Sequence, residues 1–202
     1  MGKYIAVAGN MGVGKTSLVD FLHRRFNLQP FFEPNEENPF LGSFYQDMPR
    51  WAFHSQIYFL TAKYRVHLKL EQVGETVVQD RTLYEDAEVF EKNLYKMGYL
   101  DEREHKVYRA LYESIAPRIR PPDLMLYLKC PVRGIRQRIK KRGRPEELVV
   151  PADYLRRLND LYEAWFEHYD LSPVVVIDTS KLDYLSDLVD RLDLFSTIER
   201  VL

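Results

Sequence analysis

The run Gly9-Asn10-Met11-Gly12-Val13-Gly14-Lys15-Thr16 fits the spacing G-x-x-x-x-G-K-[ST] in full. Glycines at those positions let successive backbone N–H groups curl around phosphate oxygens with no Cβ in the way, and a helix starting at Thr16 adds the favourable end of its dipole. The expected ligand is ATP, with residues 9–17, Ser17 included, around its phosphates. In such a loop the lysine, Lys15, reaches the β- and γ-phosphates, and the Thr16 hydroxyl binds Mg²⁺. The loop alone leaves three uses of the nucleotide open: a guanine-type switch, a mechanical ATPase, or transfer to a small molecule. A switch needs Asn-Lys-x-Asp and Asp-x-x-Gly elements, and neither occurs.

Two further charged groups follow short apolar runs. Glu33-Pro34 follows Gln29–Phe32, and Asp80-Arg81 follows Thr76–Gln79. Phosphoryl transfer to an alcohol needs a carboxylate near the hydroxyl and cations around the migrating group. Glu33 can supply the first, and Arg81 and Lys15 the second. Together with Thr16, Asp80 is a candidate Mg²⁺ ligand, since a carboxylate followed directly by a fixed cation suits Mg²⁺ handling beside a transferring phosphoryl group. From Arg136 to Arg144 six of nine residues are basic, and Arg138 and Arg142 share a helix face before the break at Gly143. The pattern Arg138-x-x-x-Arg142-Gly143-Arg144 resembles the arginine-rich lid of the deoxynucleoside kinase family, about 138–147, whose closing over ATP would exclude water and bring Arg138, Arg142 and Arg144 to the equatorial oxygens.

These groups need a frame that gathers them. Short apolar runs at Tyr4–Ala8, Gln29–Phe32, Thr76–Gln79, Leu124–Lys129 and Val174–Ile177 alternate with amphipathic stretches. That alternation predicts an α/β fold with a five-stranded parallel sheet flanked by helices. About seven helices are expected: Thr16–Phe26, Pro49–Val73, Glu85–Met97, Glu102–Ile119, Arg133–Arg142, Ala152–Tyr169 and Asp183–Leu202. In an open parallel sheet ligands sit beyond the C-terminal strand ends, where the loop, Glu33 and Asp80-Arg81 all fall. The 202 residues suit one domain.

Taken in order over nearly the whole chain, these features resemble the deoxynucleoside kinase family: the phosphate loop, Glu33-Pro34, Tyr45, Trp51 to Gln56, Asp80-Arg81-Thr82 to Asp86, and the lid. The resemblance implies a P-loop kinase fold and ATP-dependent phosphorylation of a deoxynucleoside 5′-hydroxyl in nucleotide salvage. It makes Glu33 the general base and places Arg81 by the hydroxyl and phosphate. It puts Trp51 and Phe59 in the substrate pocket, gives Gln56 the nucleobase edge, and gives Tyr45 and Glu147 the sugar 3′-hydroxyl. Asp80 departs from the Glu of the deoxycytidine kinases, keeping the charge with a shorter reach. Members that accept purines or cytosine place a cation and an Asp where this chain has Lys63 and Asp86, so a purine deoxynucleoside is favoured and deoxycytidine stays open. A homodimer through helices, with Glu85–Met97 and Ala152–Tyr169 offering apolar faces, is also implied.

The competing enzyme is a thymidylate-type monophosphate kinase. Its acceptor carries a phosphate and calls for an Arg just before the Glu, where this chain has Phe32, while Glu33, Glu36 and Glu37 would repel that phosphate. A non-enzymatic nucleotide switch is the remaining alternative. The net charge of −1 gives no field for a nucleic-acid partner, and no apolar run reaches the length of a membrane span. Cys130 is the only cysteine, which points to a small buried residue in a reducing, cytoplasmic setting.

Overall fold

The computed structural model describes residues 2–33, 37–180 and Glu199. Pro34, Glu36 and, Glu199 apart, the expected helix Asp183–Leu202 lie outside the described residues. Five strands, β1 (Tyr4–Gly9), β2 (Gln29–Phe31), β3 (Val77–Asp80), β4 (Leu124–Lys129) and β5 (Val174–Asp178), form one all-parallel sheet in the order β2-β3-β1-β4-β5. β1 is central and wholly buried. Its residues alternate between two cores, as the two-residue period of a strand requires. Ile5 and Val7 join Leu18, Val19 and Leu22 on one face, while Tyr4, Ala6 and Ala8 join Leu70 and Met125 on the other.

The helical layers are α1 (Lys15–Phe26), α2 (Leu41–Gln46), α3 (Met48–Leu70), α4 (Leu83–Glu85), α5 (Lys92–Lys96), α6 (Glu102–Ile115), α7 (Val132–Arg142), α8 (Pro145–Leu148) and α9 (Ala152–Phe166). α3 starts where Asp47 accepts from the Arg50 N–H and Pro49 occupies the first turn. α6 ends at Ile115, and a short 3₁₀ turn at Ala116–Arg118 replaces the expected run to Ile119 because Pro117 interrupts the ladder. The expected helix Glu85–Met97 is split: α4 and α5 flank a π-helical segment, Asp86–Glu91. α2 and α8 are too short to show a period in the sequence.

One packing expectation changes. The apolar faces of Glu85–Met97 and Ala152–Tyr169 meet each other, since the π segment and α5 pack on α9 and bury Val89, Leu94, Leu155, Leu158 and Tyr162. Those residues are therefore interior. Cys130 is buried. No helix among the described residues is long and apolar enough to cross a membrane.

Parallel register fixes the site. Val7 lies opposite Asp80, Phe31 opposite Gln79, and Gly9 opposite Leu128. The residues that follow β1, β2 and β3 therefore emerge together along one edge of the sheet, beside the position where the chain crosses from one side of β1 to the other.

Candidate active site

The loop after β1 holds three glycines in left-handed conformations: Gly9 (φ 141°), Gly12 (φ 73°) and Gly14 (φ 111°). Two also sit where a side chain has no room. A Cβ on Gly9 would lie 2.6 Å from the Leu128 carbonyl oxygen, and one on Gly12 would lie 2.8 Å from Ile139 Cγ1. Lys15 is buried, and its ammonium donates to the carbonyls of Gly9 (2.9 Å) and Asn10 (3.0 Å). Burial first, then the nearby Arg81, lowers its pKa to about 8. Asn10 faces away from the phosphate side: its amide donates to Leu155 O and Asn159 Oδ1, and its Oδ1 accepts from the Met11 N–H.

At the end of β3, Thr16 Oγ1 donates to Asp80 Oδ2 at 2.5 Å, and Asp80 Oδ1 is buried with no hydrogen-bond partner. Two hard oxygens with spare acceptor capacity beside a phosphate loop fit Mg²⁺, which takes few protein ligands and completes its shell with phosphate and water. Burial pushes the Asp80 carboxyl up against the pull of Lys15. Next in sequence, Arg81 adopts φ 63°, one of two non-glycine residues with positive φ among those described. Such strain persists only where surrounding contacts fix it. Here the guanidinium donates to Gly9 O (3.3 Å), approaches Glu33 (3.4 Å) and lies 4.3 Å above the Phe90 ring.

Glu33 follows β2 and is nearly enclosed, with Lys63 Nζ at 2.9 Å from its Oε1. The same ammonium donates to Asp86 Oδ1 at 2.6 Å. Lys63 is 1% exposed, so one buried cation serves two carboxylates, and Arg81 makes close contact with the first. The carboxylates respond oppositely. Arg81 and then Lys63 outweigh burial and hold Glu33 far below the usual carboxylate range. At Asp86 burial outweighs Lys63 and pushes the pKa to about 6.

A cavity of about 160 Å³ joins these groups. Of the expected residues, Met11, Gly12, Lys15, Thr16, Glu33, Tyr45, Gln56, Phe59, Asp80, Arg81, Asp86, Arg142, Arg144 and Glu147 line it. Gln56, Phe59 and Lys63 come from one face of α3, and Asp86 and Phe90 from the π segment. Glu147 is held by Arg142 and by Arg144 (3.6 Å), which draws the lid over this end. Gly9, Asn10, Val13, Gly14 and Ser17 of the expected phosphate-binding run, and Lys63 against Glu33 and Asp86, do not line the cavity.

Two expected site residues stand elsewhere. Trp51 stacks on Phe40 (5.7 Å) and under Arg50, and so braces the segment ahead of α2 instead of facing the cavity. Arg138 is also outside the cavity, donating to Val13 O at 2.7 Å behind the phosphate loop. In return, Leu41, Phe44, Phe90 and Tyr154 line the cavity unannounced by any motif. Glu85 is a further addition. Fully buried, it accepts from the N–H groups of Gly9 (3.2 Å) and Thr82 (3.0 Å) and from Tyr162 O–H (2.7 Å), which ties β3's exit to the phosphate loop. The spacing Thr82-x-x-Glu85 is a capping-box signature and was the one available signal for it.

The family model for deoxynucleoside kinases matches residues 5–202. The chain belongs to the deoxynucleoside kinase family. Among curated relatives of this deoxynucleoside kinase, a deoxyadenosine/deoxycytidine kinase of Bacillus subtilis is 35% identical over 91% of the chain and 85% of its own length. A deoxyguanosine kinase of Lactobacillus acidophilus is 35% identical over 93% of the chain and 85% of its length. Among solved structures, a deoxyadenosine kinase from M. mycoides with bound dATP superposes with a TM-score of 0.84 at 30% identity, covering 98% of this chain and 99% of that one. The expected P-loop kinase fold is therefore correct, and the protein is a phosphotransferase acting on a deoxynucleoside. Neither a monophosphate acceptor nor a non-enzymatic switch fits that membership.

Proposed function

We propose that this deoxynucleoside kinase moves the γ-phosphoryl group of ATP to the 5′-hydroxyl of a purine deoxynucleoside, in a single domain, with Glu33 as general base. The observation that carries the reading is the Lys63 bridge between Glu33 and Asp86 (2.9 and 2.6 Å), which joins the proposed base to the proposed nucleobase reader at one cavity. An ionised Asp86 accepts from an exocyclic amino group, and Gln56 offers an amide beside it on the same wall. Its Oε1 and Asp86 Oδ2 are both buried without hydrogen-bond partners, as expected of atoms meant for a ligand. Relatives named for deoxyadenosine, deoxyguanosine and deoxycytidine support the same amino-bearing group of bases.

In the proposed reaction the 5′ oxygen attacks the γ-phosphorus, its proton passes to a Glu33 carboxylate oxygen, and ADP leaves. Arg81, held in its strained conformation by Gly9 O, Glu33 and Phe90, holds the attacking and transferring oxygens together. Lys15 exchanges the Gly9 and Asn10 carbonyls for phosphate oxygens, and Arg142 and Arg144 release Glu147 to the sugar as the lid closes. Thr16 and Asp80 would hold Mg²⁺, which when bound neutralises charge across the β- and γ-phosphates. Such a site stabilises charge on three equatorial oxygens and keeps water out.

A panel of the four deoxynucleosides with ATP and Mg²⁺ tests the reading. Deoxyadenosine or deoxyguanosine should give the highest kcat/KM. Thymidine ranking first would remove the nucleobase assignment. Replacing Lys63 and Asp86 together with Met and Ala should move the ranking towards thymidine, and an unchanged ranking would break the role given to that pair. The homodimer expected of the family is to be checked by equilibrium sedimentation, with a mass near 48 kDa, about twice the 24.0 kDa of one chain, as the expected result.

A further inference from the structure

Arg138 sits on the lid helix with the spacing of a phosphate-binding residue, yet its guanidinium is already engaged. Nη1 donates to Val13 O (2.7 Å) and to Thr179 Oγ1 (2.9 Å), and Nη2 donates to Thr179 O. Thr179 follows β5 and is fully buried. Its N–H and its hydroxyl reach Lys129 O at 2.8 and 3.1 Å, and the hydroxyl lies 3.4 Å from Val13 O. The fork therefore spans two elements and ends on the phosphate loop. One residue further along α7, Ile139 packs so closely on Gly12 that a Cβ there would meet it at 2.8 Å.

We propose that Arg138 is a positioning residue for the phosphate loop, clamping the Val13–Gly14 peptide plane to the end of β5, and that only Arg142 and Arg144 act as lid cations. The reasoning is geometric and rests on the loop binding ATP phosphates. Among the described residues no peptide is cis, so the Val13 carbonyl and the Gly14 N–H point in opposite directions across one rigid plane. A guanidinium and a hydroxyl on the outer side of the loop hold that carbonyl outward. The Gly14 N–H is thereby turned inward, towards the phosphate cradle. Gly14 has φ 111° and no side chain to restrict the plane, so the orientation must come from such outside contacts.

The clamp also divides α7. Arg138 and Ile139 are fixed to the loop, whereas Arg142 lies one turn later, just before Gly143 (φ 73°). With its near end anchored, α7 presents Arg142 from its last turn, and Gly143 leaves Arg144 free to move beyond it; both arginines line the cavity. A lysine at position 138 cannot reproduce a planar fork spanning Val13 and Thr179.

Binding of ADP, measured by titration calorimetry, is the primary test, because it does not depend on which acceptor the enzyme uses. Arg138→Met is expected to raise the Kd for ADP and the KM for ATP on the order of tenfold, as befits loss of a charged hydrogen bond to a buried carbonyl. The kcat at saturating ATP and the KM for the deoxynucleoside should stay within about threefold of wild type. Arg138→Lys should recover only part of the loss. Thr179→Val, a residue that touches no phosphate, should show the same pattern more weakly, and the double variant should be no worse than Arg138→Met alone. Wild-type ADP affinity in Arg138→Met with a hundredfold fall in kcat would make Arg138 a phosphoryl-contacting residue and overturn the proposal. Wild-type behaviour of Thr179→Val, or strictly additive losses in the double variant, would overturn it as well.

Discussion

Lys63 is the residue on which the chemistry of the cavity turns. A buried ammonium between two carboxylates supplies one positive charge where two negative charges need it, and Arg81 decides the division by siding with Glu33. Glu33 accordingly stays ionised across the working range, ready to accept a proton, although its neighbours make it a weak base until the substrate displaces them. Glu33→Gln keeps the shape and removes the acceptor. Its kcat should fall by about 10²–10⁴-fold while the Kd for ADP stays within about twofold, read by steady-state kinetics and calorimetry.

Asp86 takes the proton instead. Lys63, Glu33, Arg81 and Tyr108 face it, and burial sets its pKa at about 6. Below that value the carboxyl is protonated and no longer accepts freely from an amino group. Therefore kcat/KM for the deoxynucleoside should fall as pH drops through about 6, roughly tenfold per pH unit below it. Asp86→Asn should lower the plateau and abolish that limb. Asp80, also raised by burial, faces Thr16 and Lys15, so its titration would show in the KM for ATP. A limb of unchanged position in Asp86→Asn would assign it to another group.

Among the elements, the π segment does the work that a regular helix would spoil. Widening the helix from Asp86 to Glu91 brings Asp86 against Lys63 and Phe90 under Arg81 from one short stretch. π insertions are rare and concentrate at functional sites for this reason. The meeting of α7 with the phosphate loop is the second decisive contact between elements. Gly12→Ala places a methyl group against Ile139 at a left-handed φ. We expect the KM for ATP to rise at least about tenfold, with thermal stability lowered by a few degrees, measured by kinetics and differential scanning calorimetry.

Across the whole molecule, an all-parallel sheet with its inner strands β3, β1 and β4 buried leaves one reactive edge. β1 and β4 form its centre, and Leu126 is fully buried there among Val7, Leu128 and Tyr162. Leu126→Ala should cost about 2–5 kcal/mol in a urea titration, since a close-packed centre cannot collapse around the void. Loss of under about 1 kcal/mol would mean that the two layers relax more freely than the packing indicates.

The parallel sheet, the phosphate loop and the gathering of Glu33, Asp80 and Arg81 at one sheet edge were legible in the sequence because each is encoded locally. Short β-rich runs announce strands, glycine spacing announces a loop that must accept positive φ, and Glu33, Asp80 and Arg81 fall at or just beyond strand ends. Boundaries at Ile115 and in Glu85–Met97 were not, because a proline and a π insertion altered helices whose period looked continuous. What only the tertiary structure decided concerns contacts between residues far apart in the chain. Arg138 reads as a lid cation by spacing and becomes a contact behind the loop only because Thr179 and Val13 meet it from separate elements. Glu85 looks like a helix cap until the fold brings Gly9 and Tyr162 to it. Lys63 shows its charge in the sequence, but that one ammonium joins Glu33 to Asp86 follows from the packing of α3 against the π segment beside the end of β2.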